Sequence, residues 1–300
     1  MQKRLIQTLI KLTAHSSQLT AIFMLSLSEK ILLTDFAAKN GIKVFWIEHD
    51  RMGNWLKWNP WLKALKKASE NATIICVSDL SKRLYEGLGF DAGKITVIPN
   101  GVPRASPSSF SKLTAQSSQL HLGCISRLSP EKGIDVLIQA VQTQPEVSLS
   151  IVGSGPEEGY IRRLIDEDTE RLGTNQPRIR LLTEVENIEK FYETIDALVL
   201  PSVDNDPFGL VAAEAMMRGI PVIVTDACGI ASYLRNGVDA IIVPAGSSSV
   251  LGSAMKSLSD PSLKEKLSRH GREKAEREFA VEKMVGRYER LLIIGDLKFS

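Results

Sequence analysis

Short apolar runs alternate with stretches of helical periodicity along nearly the whole chain, the pattern of parallel sheets joined by crossover helices. In the first half, strands are expected near 19–25, 42–47, 72–77 and 94–98. A serine-rich, weakly patterned stretch from Pro103 to Ser118 reads as a linker. Six more strands are expected at 120–125, 148–152, 178–182, 197–200, 222–225 and 240–243, with helical residues filling most of 247–292. The expectation is an α/β chain with two doubly wound parallel-sheet domains, 1–104 and 105–281. Residues 282–300 form a last helix that returns to the first domain. No repeat of solenoid period interrupts the pattern.

Composition adds little as a total but more as a distribution. With 300 residues, 43% of them hydrophobic and 24% charged, the chain has material for two globular cores. Its net charge is only +2, yet residues 1–104 hold 15 basic and 8 acidic side chains and residues 105–300 hold 22 and 27. A basic front half suits an anionic membrane surface or a polyanionic partner. The three cysteines, Cys76, Cys124 and Cys228, lack metal or redox spacing and are expected to be buried free thiols. No apolar run reaches the roughly 18 residues of a membrane span. Lys3-Arg4 and the apolar residues after it resemble a signal peptide, but Lys11 interrupts the run.

The most informative stretch runs from Asp206 to Val222. The buried strand Ala197-Leu198-Val199-Leu200 leads into Pro201-Ser202 and a loop, and a helix opens near Phe208-Gly209-Leu210. Arg218 sits in its last turn, Gly219 stops it and Pro221 prevents continuation. At about 100° per residue, Glu214 returns to within about 80° of Asp206, so both acids can face one ligand. Between them lie the backbone amides of a helix start, which attract phosphate. One acid for sugar hydroxyls, amides for phosphate and a second acid for a ribose describe a nucleotide-sugar pocket.

At these residues the chain resembles the retaining glycosyltransferases of family 4, whose signature is a Glu-x7-Glu pair within a run like E-P-F-G-L-x-x-x-E-A-M-x-x-G-x-P-V. Asp206 stands where the first Glu is usual. The resemblance implies the GT-B fold: two Rossmann-like domains facing across a cleft, here with a shortened N-terminal one. Nothing in residues 1–40 matches the strand and glycine-rich loop with which that domain begins in the family. The implied activity is a retaining hexosyl transfer from a nucleotide-sugar to an acceptor hydroxyl. No metal or other cofactor is expected, and nucleic acid is not an expected partner.

Other segments fall in register with this resemblance. Gly123 to Gly133 is similar to the family's G-R-L-x-x-E-K-G segment; Arg127 and Lys132, at a strand end, can clamp a diphosphate. Val152-Gly153-Ser154-Gly155-Pro156 matches a family turn and reads either as a close approach to ligand or as a tight strand-to-helix turn. Leu181 to Val185 sits where relatives hold the nucleobase through main-chain groups, which brings in Val185. Phe208, Gly209 and Leu210 join the donor site through the helix start. His49, at the end of the strand Val44 to Ile47, matches a family histidine that contacts the sugar. Pro99-Asn100-Gly101-Val102 matches a hinge turn, and Cys228 to Ser232 replaces the more usual Gly-Gly-x-x-Glu.

Residues 51–67 lie outside the signature. They contain Trp55, Trp58 and Trp61, three of the four tryptophans, with five cations that include Lys63, Lys66 and Lys67, and no acid. Tryptophan beside lysine is the composition of a membrane-interface segment; packing of the indoles into a core is the competing reading. The expectation is a cytoplasmic enzyme, peripheral at the inner face of the membrane, with a lipid-linked or saccharide acceptor. The competing function is a catalytically incomplete donor-binding subunit that needs a partner chain.

Overall fold

The computed structural model describes residues 6–7, 19–49, 54–105, 119–173 and 177–294. Most of the expected linker, residues 51–53 and the Trp55 side chain lie outside these. The chain divides into two compact units, one of residues 1–99 with 284–300 and one of residues 100–283. All ten expected strands are present, each within about two residues of its expected bounds.

Unit 1 holds a four-stranded parallel sheet in the order β1 (Ala21–Met24), β2 (Lys43–Glu48), β3 (Thr73–Cys76), β4 (Ile95–Val97). Among the described residues three helices lie between its strands: α1 (Leu27–Lys39), α2 (Trp61–Ser69) and α3 (Asp79–Gly87). Helix α1 starts at Ser26 in a capping box with Glu29. Both sheet faces are covered, so β2 and β3 read as continuous apolar runs rather than alternating ones. Val44, Trp46, Ile74 and Cys76 face the larger cluster, while Phe45, Ile75 and Ile98 form a second one. The last helix, α10 (Val281–Ile294), covers that second cluster with Met284, Tyr288, Leu291 and Leu292. The remaining tryptophan, Trp46, is 1% exposed and donates its indole N–H to Thr34 Oγ1 at 3.0 Å.

Unit 2 holds a six-stranded parallel sheet. Its strands are β5 (Leu120–Ile125), β6 (Val147–Val152), β7 (Ile179–Leu182), β8 (Ala197–Leu200), β9 (Val222–Thr225) and β10 (Ile241–Val243). Their spatial order is β10-β9-β8-β5-β6-β7. The helices are α4 (Ile134–Gln142), α5 (Glu158–Arg171), α6 (Ile188–Thr194), α7 (Leu210–Met217), α8 (Ser248–Ser257) and α9 (Pro261–Glu278). Strand β5 connects to β6 on one side but pairs with β8 on the other. The order therefore reverses between β5 and β8, and in an open α/β sheet ligands bind outside the carboxyl ends of strands at such a reversal.

Candidate active site

Two loops leave the sheet at this reversal, and they are locked together. The loop after β5 carries Arg127 and Lys132; the loop after β8 carries Asp206. The carbonyl of Glu131 accepts hydrogen bonds from the amides of Val203 at 2.9 Å and Asp204 at 3.4 Å. Lys132 Nζ then reaches Asp206 Oδ2 at 2.7 Å, and the Ser202 hydroxyl donates to the same oxygen at 3.1 Å. Asp206 is 7% exposed, so this pairing compensates a carboxylate that has lost most of its water.

The expectation that helical rotation aligns the two acids is corrected here. Asp206 precedes α7 and is not part of it. Its main chain is fixed instead by a parallel bridge to Cys228: its amide donates to Ala227 O and its carbonyl accepts from Gly229 N, both at 2.9 Å. Ala227 and Gly229, on either side of Cys228, thus fix the main chain of Asp206, while Lys132 and Ser202 hold its carboxylate. Asn205, just before it, has φ of 29°, the one positive value outside glycine among the described residues. Such backbone strain collects at functional sites.

Helix α7 opens on Gly209, at φ 95°. A Cβ there would lie 2.8 Å from Leu200 Cδ2, so glycine is required both by conformation and by space. Helix geometry leaves the amides of Leu210 and Val211 without intrahelical acceptors, and these point out of the helix start. Leu210 is itself 43% exposed. The Phe208 side chain lies in the core. It is 2% exposed and packs edge-on to Phe279 at 5.5 Å, a burial worth about 2–3 kcal/mol. Only its main chain remains to meet a ligand.

Glu214 sits one turn into α7, half-buried, and accepts a hydrogen bond from the Tyr192 hydroxyl at 2.9 Å. Burial, and then the Glu214 carboxylate, push the Tyr192 phenol above its ordinary range, so it stays a donor. Arg218 stacks 4.5 Å from the Tyr192 ring centre and pairs with Glu189. Tyr192, Glu189 and Ser202 were not singled out from the sequence; each acts from another element, and only the Pro201-Ser202 loop start hinted at one of them.

Arg127 is exposed and donates to Glu131 at 2.6 Å. Partial burial acts to raise the Glu131 carboxyl. Hydrogen bonds from its own backbone, Ser129 and Arg127 outweigh that and bring it down to about 2. Val152-Gly153-Ser154-Gly155-Pro156 resolves toward the turn: Leu128 N donates to Ser154 O at 2.9 Å, and a Cβ on Gly153 would meet Ser126 O at 1.9 Å. Its glycines let one backbone pass another. Val185 lies half-buried in the loop after β7.

In unit 1, His49 is exposed at the carboxyl end of β2. The preceding Glu48 is buried and paired with Lys30 at 2.8 Å; burial raises its carboxyl and Lys30 opposes the rise. All three cysteines are buried, with burial pushing the thiols of Cys124 and Cys228 up to about 12 and about 11. Among the described residues no helix is long and apolar enough to cross a membrane. Trp58 is 89% exposed and Trp61 51%, so for these two the core-packing reading fails.

The profile for glycosyl transferases group 1 matches residues 106–274, and that for glycosyltransferase family 4 matches residues 16–105. The chain is 34% identical over 195 residues to the phosphatidyl-myo-inositol mannosyltransferase of Mycobacterium leprae, covering 61% of this chain and 49% of that protein. It is 27% identical over 214 residues to the glycogen synthase of Mycobacterium tuberculosis, covering 70% and 50%. The chain spans about half the length of these curated relatives. Among solved structures it is similar to Anabaena HepE in complex with UDP, with a TM-score of 0.83 at 23% identity over 96% of this chain and 82% of that one. With its second unit matched throughout the site and its first matched by the companion profile, the chain belongs to the glycosyl transferases group 1 family, within family 4 and with the GT-B fold.

Proposed function

We propose that the chain transfers a hexose-type sugar from a nucleoside-diphosphate sugar to an acceptor hydroxyl, with retention of anomeric configuration. The observation that carries this reading is the grouping of Lys132, Asp206, the α7 amides and Glu214 where the unit 2 sheet order reverses. The bond from the anomeric carbon to the diphosphate oxygen breaks, and negative charge develops on the diphosphate. Lys132, Arg127 and the amides of Leu210 and Val211 meet that charge as preorganised donors. Asp206 accepts from the sugar hydroxyls. Glu214, held by Tyr192, accepts from the ribose, and main-chain groups near Val185 hold the base. The acceptor oxygen attacks the face the diphosphate leaves and passes its proton to the departing phosphate, so no covalent nucleophile is needed. His49 is the residue of unit 1 assigned to the sugar.

The acceptor is proposed to be lipid-linked or a saccharide, met at the inner, cytoplasmic face of a membrane. The exposed Trp58 and Trp61 beside Lys63, Lys66 and Lys67 support this, as does the likeness to a phosphatidyl-myo-inositol mannosyltransferase. Calorimetric titration with UDP, GDP and ADP, then with their sugars, tests the reading. One nucleoside diphosphate and its sugar should bind, and His49→Ala should lower transfer without weakening that binding. Failure of all to bind overturns the proposal. Binding without transfer to any lipid or saccharide acceptor would favour a donor-binding subunit that acts with a partner chain.

A further inference from the structure

A cavity of about 430 Å³ opens toward the amino ends of β5, β6 and β7, at the other end of these strands from the candidate active site. Its size is that of a small-molecule pocket. Parallel sheets are ordinarily covered by apolar residues on both faces. Here one face is apolar, with Val147, Leu149 and Ile151 fully buried, while the other carries Ser148 and Ser150 on β6. His121 lies across from Ser148 and Arg180 across from Ser150; Arg178 and Gln119 complete the polar lining, and no lining residue is acidic.

The donors and acceptors around this cavity are unevenly used. Arg178 is braced from behind: Nε and Nη2 donate to Asp168, and Nη1 donates to the carbonyls of Gln144 and Val147. A guanidinium has five N–H groups, so one on Nη2 remains. The Arg180 side chain is exposed and makes no hydrogen bond or ion pair with the described residues. On the other side, His121 Nδ1 lies 2.8 Å from the carbonyl of Thr194 and must carry a proton to bond it. In the neutral ring, Nε2 then accepts the Ser150 hydroxyl proton across 2.9 Å. Ser150 Oγ is left with lone pairs to offer. One side of the cavity presents cationic donors and the other an acceptor.

We propose that this cavity binds a small phosphomonoester carrying hydroxyl groups, of the sugar-phosphate class. The phosphate meets Arg180 and the remaining Arg178 N–H, and a ligand hydroxyl donates to Ser150. The site is independent of the transfer chemistry and of its residues. Calorimetry on the full chain tests it with three probes: a hexose 6-phosphate, inorganic phosphate and the free hexose. The hexose phosphate should bind more tightly than phosphate, and the free hexose should not bind. Arg180→Gln should weaken the hexose phosphate about tenfold or more, the worth of a charge-assisted contact, with thermal unfolding unchanged. Ser150→Ala should erase the preference over inorganic phosphate while leaving phosphate itself bound. Saturating nucleoside diphosphate should not displace the probe, and Arg180→Gln should leave nucleoside-diphosphate binding alone, so either proposal can fail without the other. No heat with the hexose phosphate at about 1 mM, an unchanged affinity in Arg180→Gln, or displacement by nucleoside diphosphate overturns the assignment.

Discussion

Lys132 and Asp206, 74 residues apart in sequence, meet at 2.7 Å across the two loops that leave β5 and β8. They are the cation proposed to meet the diphosphate and the acid proposed to meet the sugar. In the proposed mechanism a bound diphosphate would compete for Lys132 and free one oxygen of Asp206 for the sugar.

Removing either partner should therefore do more than remove a contact. Lys132→Ala should weaken nucleoside-diphosphate binding by about 1.5–3 kcal/mol and also lower the melting temperature, because Asp206 is left desolvated beside Ser202. Adding Asp206→Asn should recover stability but not transfer. Asp206→Ala alone should lower turnover with nucleotide affinity nearly intact, while Asp206→Glu, the usual family residue, should keep activity. Unchanged turnover in Asp206→Ala would remove this carboxylate from the site.

Tyr192→Phe tests the support of Glu214. Loss of the hydroxyl that holds the carboxylate should cost roughly 1 kcal/mol of nucleotide affinity, and Glu214→Gln should cost more. The ring keeps its place under Arg218, so the melting temperature should move little. If both variants bind the nucleotide as the parent does, Glu214 does not face the ribose.

Side chains and amides meet the diphosphate charge in this mechanism, so transfer should survive EDTA. Loss of activity in chelator, restored by Mg²⁺ or Mn²⁺, would require a different account of leaving-group stabilisation.

Trp58→Ala with Trp61→Ala should detach the chain from anionic vesicles without unfolding it, since both indoles are largely exposed. Binding should weaken as salt rises, because exposed lysines such as Lys57 and Lys63 are screened. Co-sedimentation that is absent at low salt, or indifferent to the double substitution, would leave a soluble saccharide as the better acceptor.

Much of this architecture was legible in the chain because its signals are local. Strand β8 is a four-residue apolar run closed by Pro201, and Gly209 marks the helix start through a conformation that other residues avoid. What could not be read were relationships set by tertiary register. Asp206 takes its direction from backbone 22 residues later, at Cys228, so a helical-wheel argument from Glu214 could not place it. Phe208 belongs to a motif associated with ligand, yet Phe279 and Tyr233 draw its ring into the core. Trp46, between Phe45 and Ile47, was legible as core, whereas Trp58, between Lys57 and Asn59, left core packing and surface exposure both open until the structure placed it at 89% exposed.

The return of α10 to unit 1 has a consequence for how the protein is made. Unit 2 is one uninterrupted stretch and can fold as soon as it clears the ribosome. Unit 1 is synthesised first but cannot be finished first. Until residues 284–292 emerge, Phe45, Ile75 and Ile98 lack their cover, and the earliest-made sheet waits with one oily face bare while the rest of the chain is translated. Nascent chains arrested near residue 283 should accordingly be the species that recruits chaperones, and deletion of residues 284–294 should damage unit 1 rather than unit 2.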